Sequence, residues 1–256
     1  MSQRIREVLD VLNESGSARI QDMAARLGVT AETIRRTIAV LDHQGLVTKV
    51  HGGASLKNWG LEPSFAQRFV QNQPTKRRIG DAAAGLILDG ASLFLDVGST
   101  TAYVAQALRQ KHDLLVVTNS LPVAQALAGQ NNNRVFMAGG ELRSHDGGAF
   151  GADALAFVRQ FRVRHAILSV AGVDAKSGFF LEDLREAEFS RAIIACADEA
   201  IVVADASKFG QVAPIRIAEP EAFHRLVTDA PPPPDISDML AEAGISVTLA
   251  GSGKSG

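Results

Sequence analysis

One cysteine, one tryptophan, one tyrosine and no apolar run of membrane-spanning length mark this 256-residue sequence by what it leaves out. Cys196 stands alone, so no disulfide can form within the chain, and a reducing compartment is its expected home. The apolar run around it, 192–197, reads as the setting of a buried, inert thiol. Charged residues from Arg4 onward leave no apolar leader, and the expected location is cytoplasmic. Neither histidine nor lysine falls into an arrangement that reads as catalytic, and no metal or cofactor is expected. The C-terminal run 251–256 matches a dinucleotide-type glycine spacing, and its Gly253-Lys254-Ser255 is similar to the end of a P-loop. Thr248 stands where the upstream glycine of that loop belongs, and no helix follows to present its amides to a phosphate. The run reads as a flexible tail.

What is present suits a globular protein of two domains. Hydrophobic residues make up 46% of the chain and the mean hydropathy is near zero, ample for a core. The formal charge of −2 hides an asymmetry: residues 1–80 carry a net +5 and residues 81–256 a net −7. A basic front end on an acidic body fits a DNA-binding module attached to something that does not touch DNA.

The front end has its own pattern. In the stretch 20–54, Ile34, Ile38 and Leu41 recur at helical spacing and form one apolar stripe. Glu32, Arg36, Ala39 and His43 fall opposite it, flanked by Thr33 and Arg35. A short helix must bury such a stripe against its neighbours, which turns the Thr33, Arg35, Arg36 face outward, where a recognition helix reads base edges. Before it, Gly28 supplies a left-handed helix end and Thr30 an N-cap whose neighbouring amides can meet a phosphate. After it, Gly45 breaks the period and 46–51 alternates like a strand, carrying Lys49 and His51 toward backbone phosphates, before Gly52-Gly53 turns the chain. The unit reads as a winged helix-turn-helix over 1–57, with Thr30, Glu32, Thr33, Arg35, Arg36, Lys49 and His51 as its DNA-binding set.

Thr33-Ile34-Arg35-Arg36, Gly45-Leu46-Val47 and His51-Gly52-Gly53-Ala54 together resemble the DNA-binding module of the DeoR-type bacterial repressors. That family usually has Asp directly after the two arginines; this chain has Thr37.

Residues 58–75 lose the pattern and read as a linker with a short helix near Phe65 to Val70. Lys76-Arg77-Arg78 opens a helix to about Leu88, the charges read as a solvated face. Apolar strands follow at 93–97, 114–118, 135–138, 166–171, 201–205, 226–228 and 245–249, with helical stretches at 102–108, 123–127, 152–161 and 186–197. Nearly continuous apolar strands alternating with helices predict an α/β domain over 76–250 with a mainly parallel sheet covered on both faces.

In such a sheet, ligands collect beyond the carboxyl ends of the strands. There the sequence places Asp96, Gly98, Ser99, Thr100 and Thr101, then Asn119-Ser120, Gly139-Gly140, and, after the 201–205 strand, Lys208. Gly98 permits close backbone approach, and the hydroxyls and free amides of a helix start describe an anion cradle. Lys208 is the expected phosphate partner, with Glu186 or Asp96 binding hydroxyls, in a pocket for a small phosphorylated polyol or sugar.

These motifs, with Ser207-Lys208-Phe209-Gly210, resemble the sensor domain of the same repressor family. The resemblance implies a fold related to ribose-phosphate isomerase, glucosamine-phosphate deaminase and CoA transferases. Residues 138–151, 160–162 and 228–233 are similar to the members that answer to glycerol 3-phosphate, which implies derepression when that molecule fills the pocket; 181–186 departs from their pattern. The expected protein is a homo-oligomeric repressor of carbon-metabolism genes, since paired half-sites need paired recognition helices. The alternative is a sugar-phosphate isomerase or deaminase with a DNA-binding appendage, using Asp96 and Glu186 as bases. An activator with the same parts also remains open.

Overall fold

The computed structural model describes residues 3–15, 17–43, 46–50, 52–56 and 65–251. Gly45, His51, 58–64 of the expected linker and 252–256 of the expected tail lie outside the described residues. The chain separates into two compact units, 1–63 and 64–256.

In the first unit, helices α1 (Gln3–Ser15), α2 (Ile20–Leu27) and α3 (Ala31–His43) each turn an apolar stripe inward. Val8, Leu12, Met23, Ile34, Ile38 and Leu41 meet in one buried cluster. The i, i+4 pair Ile34 and Ile38 closes the stripe three residues on with Leu41, as the period requires. Gly28 ends α2 at φ +63°, a conformation a Cβ would strain, and its N–H donates to the carbonyl of Ala24. Thr30 caps α3 by accepting the Thr33 N–H at 3.2 Å. The strands β1 (Ser17–Arg19), β2 (Val47–Val50) and β3 (Gly53–Leu56) form an antiparallel sheet in the order β1-β3-β2. β2 and β3 are the expected wing; β1, three residues long, was not anticipated.

The second unit opens with α4 (Phe65–Val70) and α5 (Gln73–Gly85). Its main sheet contains β4 (Ser92–Leu95), β5 (Leu115–Thr118), β6 (Arg134–Met137), β7 (Val163–Ser169), β10 (Ala197–Val203), β12 (Arg225–Thr228) and β13 (Ser246–Leu249). Every neighbouring pair is parallel and the order is β13-β12-β10-β7-β4-β5-β6. Helices α6 (Ser99–Leu108), α7 (Leu121–Leu127), α8 (Ala152–Val158), α9 (Leu184–Ala195) and α10 (Pro234–Glu242) cover it. Along β4, Leu93 and Leu95 enter one cluster with Ile79, Val104 and Leu108, while Phe94 enters the other with Phe189 and Ile193. Side chains alternate across the inner strands β4, β5, β7, β10 and β12 and both of their faces are buried, which is why they read as unbroken apolar runs, whereas the edge strand β13 is largely exposed.

The strands β4, β5 and β6 proceed to one side, and β7, β10, β12 and β13 to the other. The direction therefore reverses between β4 and β7, and the crevice beyond their carboxyl ends is where such sheets bind ligands.

Three features differ from the expectation. Residues 65–75 are helical throughout apart from the turn at Gln71 and Asn72, because Phe69 stacks on Tyr103 of α6 at 4.9 Å and anchors α4 to the domain. A second, antiparallel sheet of β8 (Gly172–Asp174), β9 (Gly178–Leu181) and β11 (Ile215–Arg216), in the order β11-β9-β8, follows β7. Finally α10 starts with a proline at its first turn, where the missing N–H costs nothing, and buries Ile236, Met239 and Leu240.

Candidate functional site

On α3 the outward face carries Glu32, Arg35 and Arg36, all exposed, with Thr30 exposed at the helix start. Glu32 lies 3.5 Å from both guanidinium groups, an exposed pairing across one turn of the helix. Thr37, in the place where the family has Asp, is buried and donates its hydroxyl to the Thr33 carbonyl at 3.0 Å. Lys49 on the wing is exposed, 3.3 Å from Asp42. Arg35, Ala39, Lys49 and Val50 line a groove of about 320 Å³ between α3 and the wing.

In the second unit, Asp96, Gly98, Ser99, Thr100 and Thr101 stand between β4 and the first turn of α6. The Asp96 carboxylate accepts the Ser169 N–H from the end of β7 at 2.9 Å, tying the two strands across the crevice. This closeness is why residue 98 is glycine: a Cβ there would lie 2.0 Å from Ser169 Oγ. Burial raises the Asp96 pKa well above the ordinary carboxylate value, against the lowering hydrogen bonds from Ser169 and Thr101. Thr101 turns its hydroxyl to the carbonyls of Asp96 and Gly98, 3.1 Å each, and so shapes the loop. Ser99 and Thr100 are buried beside it.

Lys76 corrects the reading of 76–78 as a solvated face. It is buried, and its Nζ donates to Ser99 Oγ at 3.0 Å and to the carbonyl of Arg68 at 2.6 Å. A cation thus lies against the cradle from α5. The sequence signal, a lysine 23 residues before Ser99, carries no spacing rule that would reveal it.

Asn119 and Ser120 follow β5 and are fully buried. Ser120 caps α7, accepting the Val123 N–H. Gly139 and Gly140, after β6, are exposed. Lys208 ends a 3₁₀ turn (Ala206–Lys208) after β10, which lies beyond β7 from β4. Glu186, in the first turn of α9, shares a small cavity with Asp96 and Asn119.

Arg143, in the loop after β6, was not among the expected site residues and organises that region. Its guanidinium pairs with Asp146 and Glu186, reaches Asp183 at 3.2 Å, and lies over the Phe150 ring at 4.4 Å. Burial alone would raise the pKa of Asp146, but the Arg143 hydrogen bond and charge, with the Gly148 N–H, bring it below the ordinary value. Among the described residues no group of three or more His, Cys, Asp or Glu could hold a metal ion, and no helix is long and apolar enough to cross a membrane.

A winged helix-turn-helix with an arginine-bearing outward face, carried on one chain with an α/β domain whose buried lysine meets the helix start after β4, is the build of a ligand-sensing transcriptional regulator. The DeoR-like helix-turn-helix domain matches residues 4–58 and the DeoR C terminal sensor domain residues 71–230. The chain belongs to the DeoR family of transcriptional repressors. It is similar to the glycerol-3-phosphate regulon repressor of Escherichia coli (strain K12), 34% identical over 97% of this chain and 98% of that protein. It is also similar to the HTH-type transcriptional repressor CsqR of the same organism, 33% identical over 95% of this chain and 93% of that one. The ribose 5-phosphate isomerase A of Methanocaldococcus jannaschii overlays with a TM-score of 0.40 at 18% identity, covering 54% of this chain and 55% of that one. The relatives are named repressors, which supports a regulator and not an enzyme.

Proposed function

We propose that the protein represses carbon-metabolism genes, with glycerol and glycerol 3-phosphate metabolism favoured, and leaves its operator when a phosphorylated polyol or sugar fills the crevice between β4 and β7. Thr30, Thr33, Arg35 and Arg36 meet the operator, with Glu32 beside the arginines and Lys49 and His51 contacting phosphates from the wing. The domains responsible are 1–57 and 76–250. The effector's phosphate lies at the amides of Ser99 and Thr100 beside Gly98, with Lys76 and Lys208 as cations; Asp96, Asn119 and Glu186 face its hydroxyls, and Thr101, Ser120, Gly139 and Gly140 shape the surrounding loops. The single observation that carries this reading is the buried Lys76 ammonium held 3.0 Å from Ser99 at the start of α6, a cation kept where an anion would arrive. The repressor works as a cytoplasmic homo-oligomer, and effector and DNA favour different arrangements of it, a coupling of about 1–3 kcal/mol in typical cases.

Thr100→Val tests the reading, because it keeps the shape of a buried side chain and removes its hydroxyl. The variant should bind operator DNA like the parent and need a much higher glycerol 3-phosphate concentration for release. Release at the parent's concentration would mean that the phosphate binds elsewhere.

A further inference from the structure

The main sheet ends on β13, and among the described residues nothing pairs with the outer side of that strand. The Ser246 and Ala250 N–H groups donate to the His224 and Thr228 carbonyls at 3.0 and 2.7 Å, so the even residues of 246–250 turn their backbone toward β12. Backbone groups alternate in direction along a strand, and Val247 and Leu249 therefore point their N–H and C=O outward. Their side chains are exposed as well, by 40% and 50%. Val247 is in register with Leu226, which places both side chains on the sheet face that α10 covers. Folded proteins normally guard such an edge with a lysine, a proline or a bulge. Ser246-Val247-Thr248-Leu249 has neither charge nor proline. The opposite edge, β6, does carry a charge: Arg134 is exposed, with its guanidinium over the Phe136 ring at 5.3 Å.

We propose that β13 pairs antiparallel with β13 of a second copy of this chain, about a two-fold axis at Thr248, and joins the two main sheets into one. The proposal rests on the reading of the protein as a homo-oligomer and adds the surface that joins the copies. With the axis there, Val247 stands opposite Leu249 of the second copy, and Leu249 opposite its Val247. Each of these pairs exchanges both N–H···O bonds, so every outward N–H of the two residues finds an outward C=O. Residues directly opposite share a face, so the exposed valines and leucines of both copies gather on one side of the joined sheet. A slip of one residue would lose both matches. The edge is complementary to itself: donor meets acceptor and apolar side chain meets apolar side chain. A charged strand would find no partner for its charge there.

Sedimentation equilibrium of the full-length protein at one salt concentration is the test. The parent should be a dimer or a multiple of one. Val247→Lys, at an exposed side chain, should keep the parent's circular dichroism and raise the dissociation constant of this pairing at least about tenfold. Thr248→Cys in a Cys196→Ser background reads the register. The axis sets residue 248 opposite itself in a non-hydrogen-bonded pair, with Cα atoms about 4.5 Å apart and within reach of a disulfide. Copper-phenanthroline oxidation should give a covalent dimer on a denaturing gel. Ser246→Cys in the same background, about 14 Å from its copy along the strands, should give none. An oligomeric parent whose association Val247→Lys leaves unchanged overturns the edge and leaves the homo-oligomer standing. A monomeric parent overturns both. Cross-linking at 248 no stronger than at 246 overturns the pairing, and that comparison decides the matter even where Val247→Lys does not fold.

Discussion

Arg143→Ala removes one guanidinium that three carboxylates share. Its side chain is 10% exposed, that of Asp146 1% and that of Glu186 12%, so the variant leaves negative charges with little water to replace their partner. Breaking a buried pair from one side costs about 3–5 kcal/mol, and loss of the cation over Phe150 adds about 1 kcal/mol or less. We expect a loss of about 3–5 kcal/mol at about pH 7, read as a lower urea midpoint by circular dichroism of the full chain. The sign of the pH dependence follows from Asp146. In the parent its folded pKa is lowered, so it contributes stability that is present above the unfolded value and lost as the pH falls through the folded one. Without Arg143, burial prevails and raises that pKa, and protonation then relieves the cost in acid. The gap between variant and parent should therefore shrink by about half or more between about pH 7 and pH 4, where the unfolded carboxylates titrate. A gap below about 1 kcal/mol at neutral pH, or one that does not change with pH, would refute the reasoning.

Three further outcomes are expected. Gly98→Ala drives a methyl group to 2.0 Å from Ser169 Oγ and 2.8 Å from its Cβ, so it should cost about 1–3 kcal/mol in urea unfolding and blunt the effector response; an unchanged midpoint would contradict the close approach of β4 and β7. Arg36→Ala, at an 82% exposed side chain, should weaken operator binding by about 1–3 kcal/mol in an anisotropy assay and leave glycerol 3-phosphate binding intact. Lys208→Ala should yield a repressor that holds its operator and no longer releases it with effector; normal release would remove Lys208 from the phosphate site.

The parts legible in the sequence are those governed by local period. Ile34, Ile38 and Leu41 announced the buried face of α3, and the apolar strands announced a sheet covered on both sides, because burial on both faces leaves no polar alternation to confuse the reading. The glycine, hydroxyl and carboxylate residues after β4 stood out because strand ends are where such sheets bind. What escaped depends on contacts far apart in the chain. Lys76 reads as one charge of a basic run until the fold brings Ser99 and the Arg68 carbonyl to its ammonium. Arg143 sits among glycines and charges in a loop, and only the packing of α9 against that loop brings Asp183 and Glu186 to it. The second antiparallel sheet is built from strands of two to four residues, too short for a period to register. The helix α10 is masked by the prolines before it, although Ile236, Met239 and Leu240 hold the i, i+3, i+4 spacing.

In the proposed function, one small phosphorylated ligand bound between β4 and β7 releases the protein from DNA. Fluorescence anisotropy of the protein on its own upstream DNA, titrated with glycerol 3-phosphate at one fixed salt concentration, tests it most directly, since phosphate contacts make such affinities steeply salt-dependent. Release is expected at low glycerol 3-phosphate concentration, with inorganic phosphate inert. Tight operator binding that ignores glycerol 3-phosphate and every other sugar or polyol phosphate would contradict it.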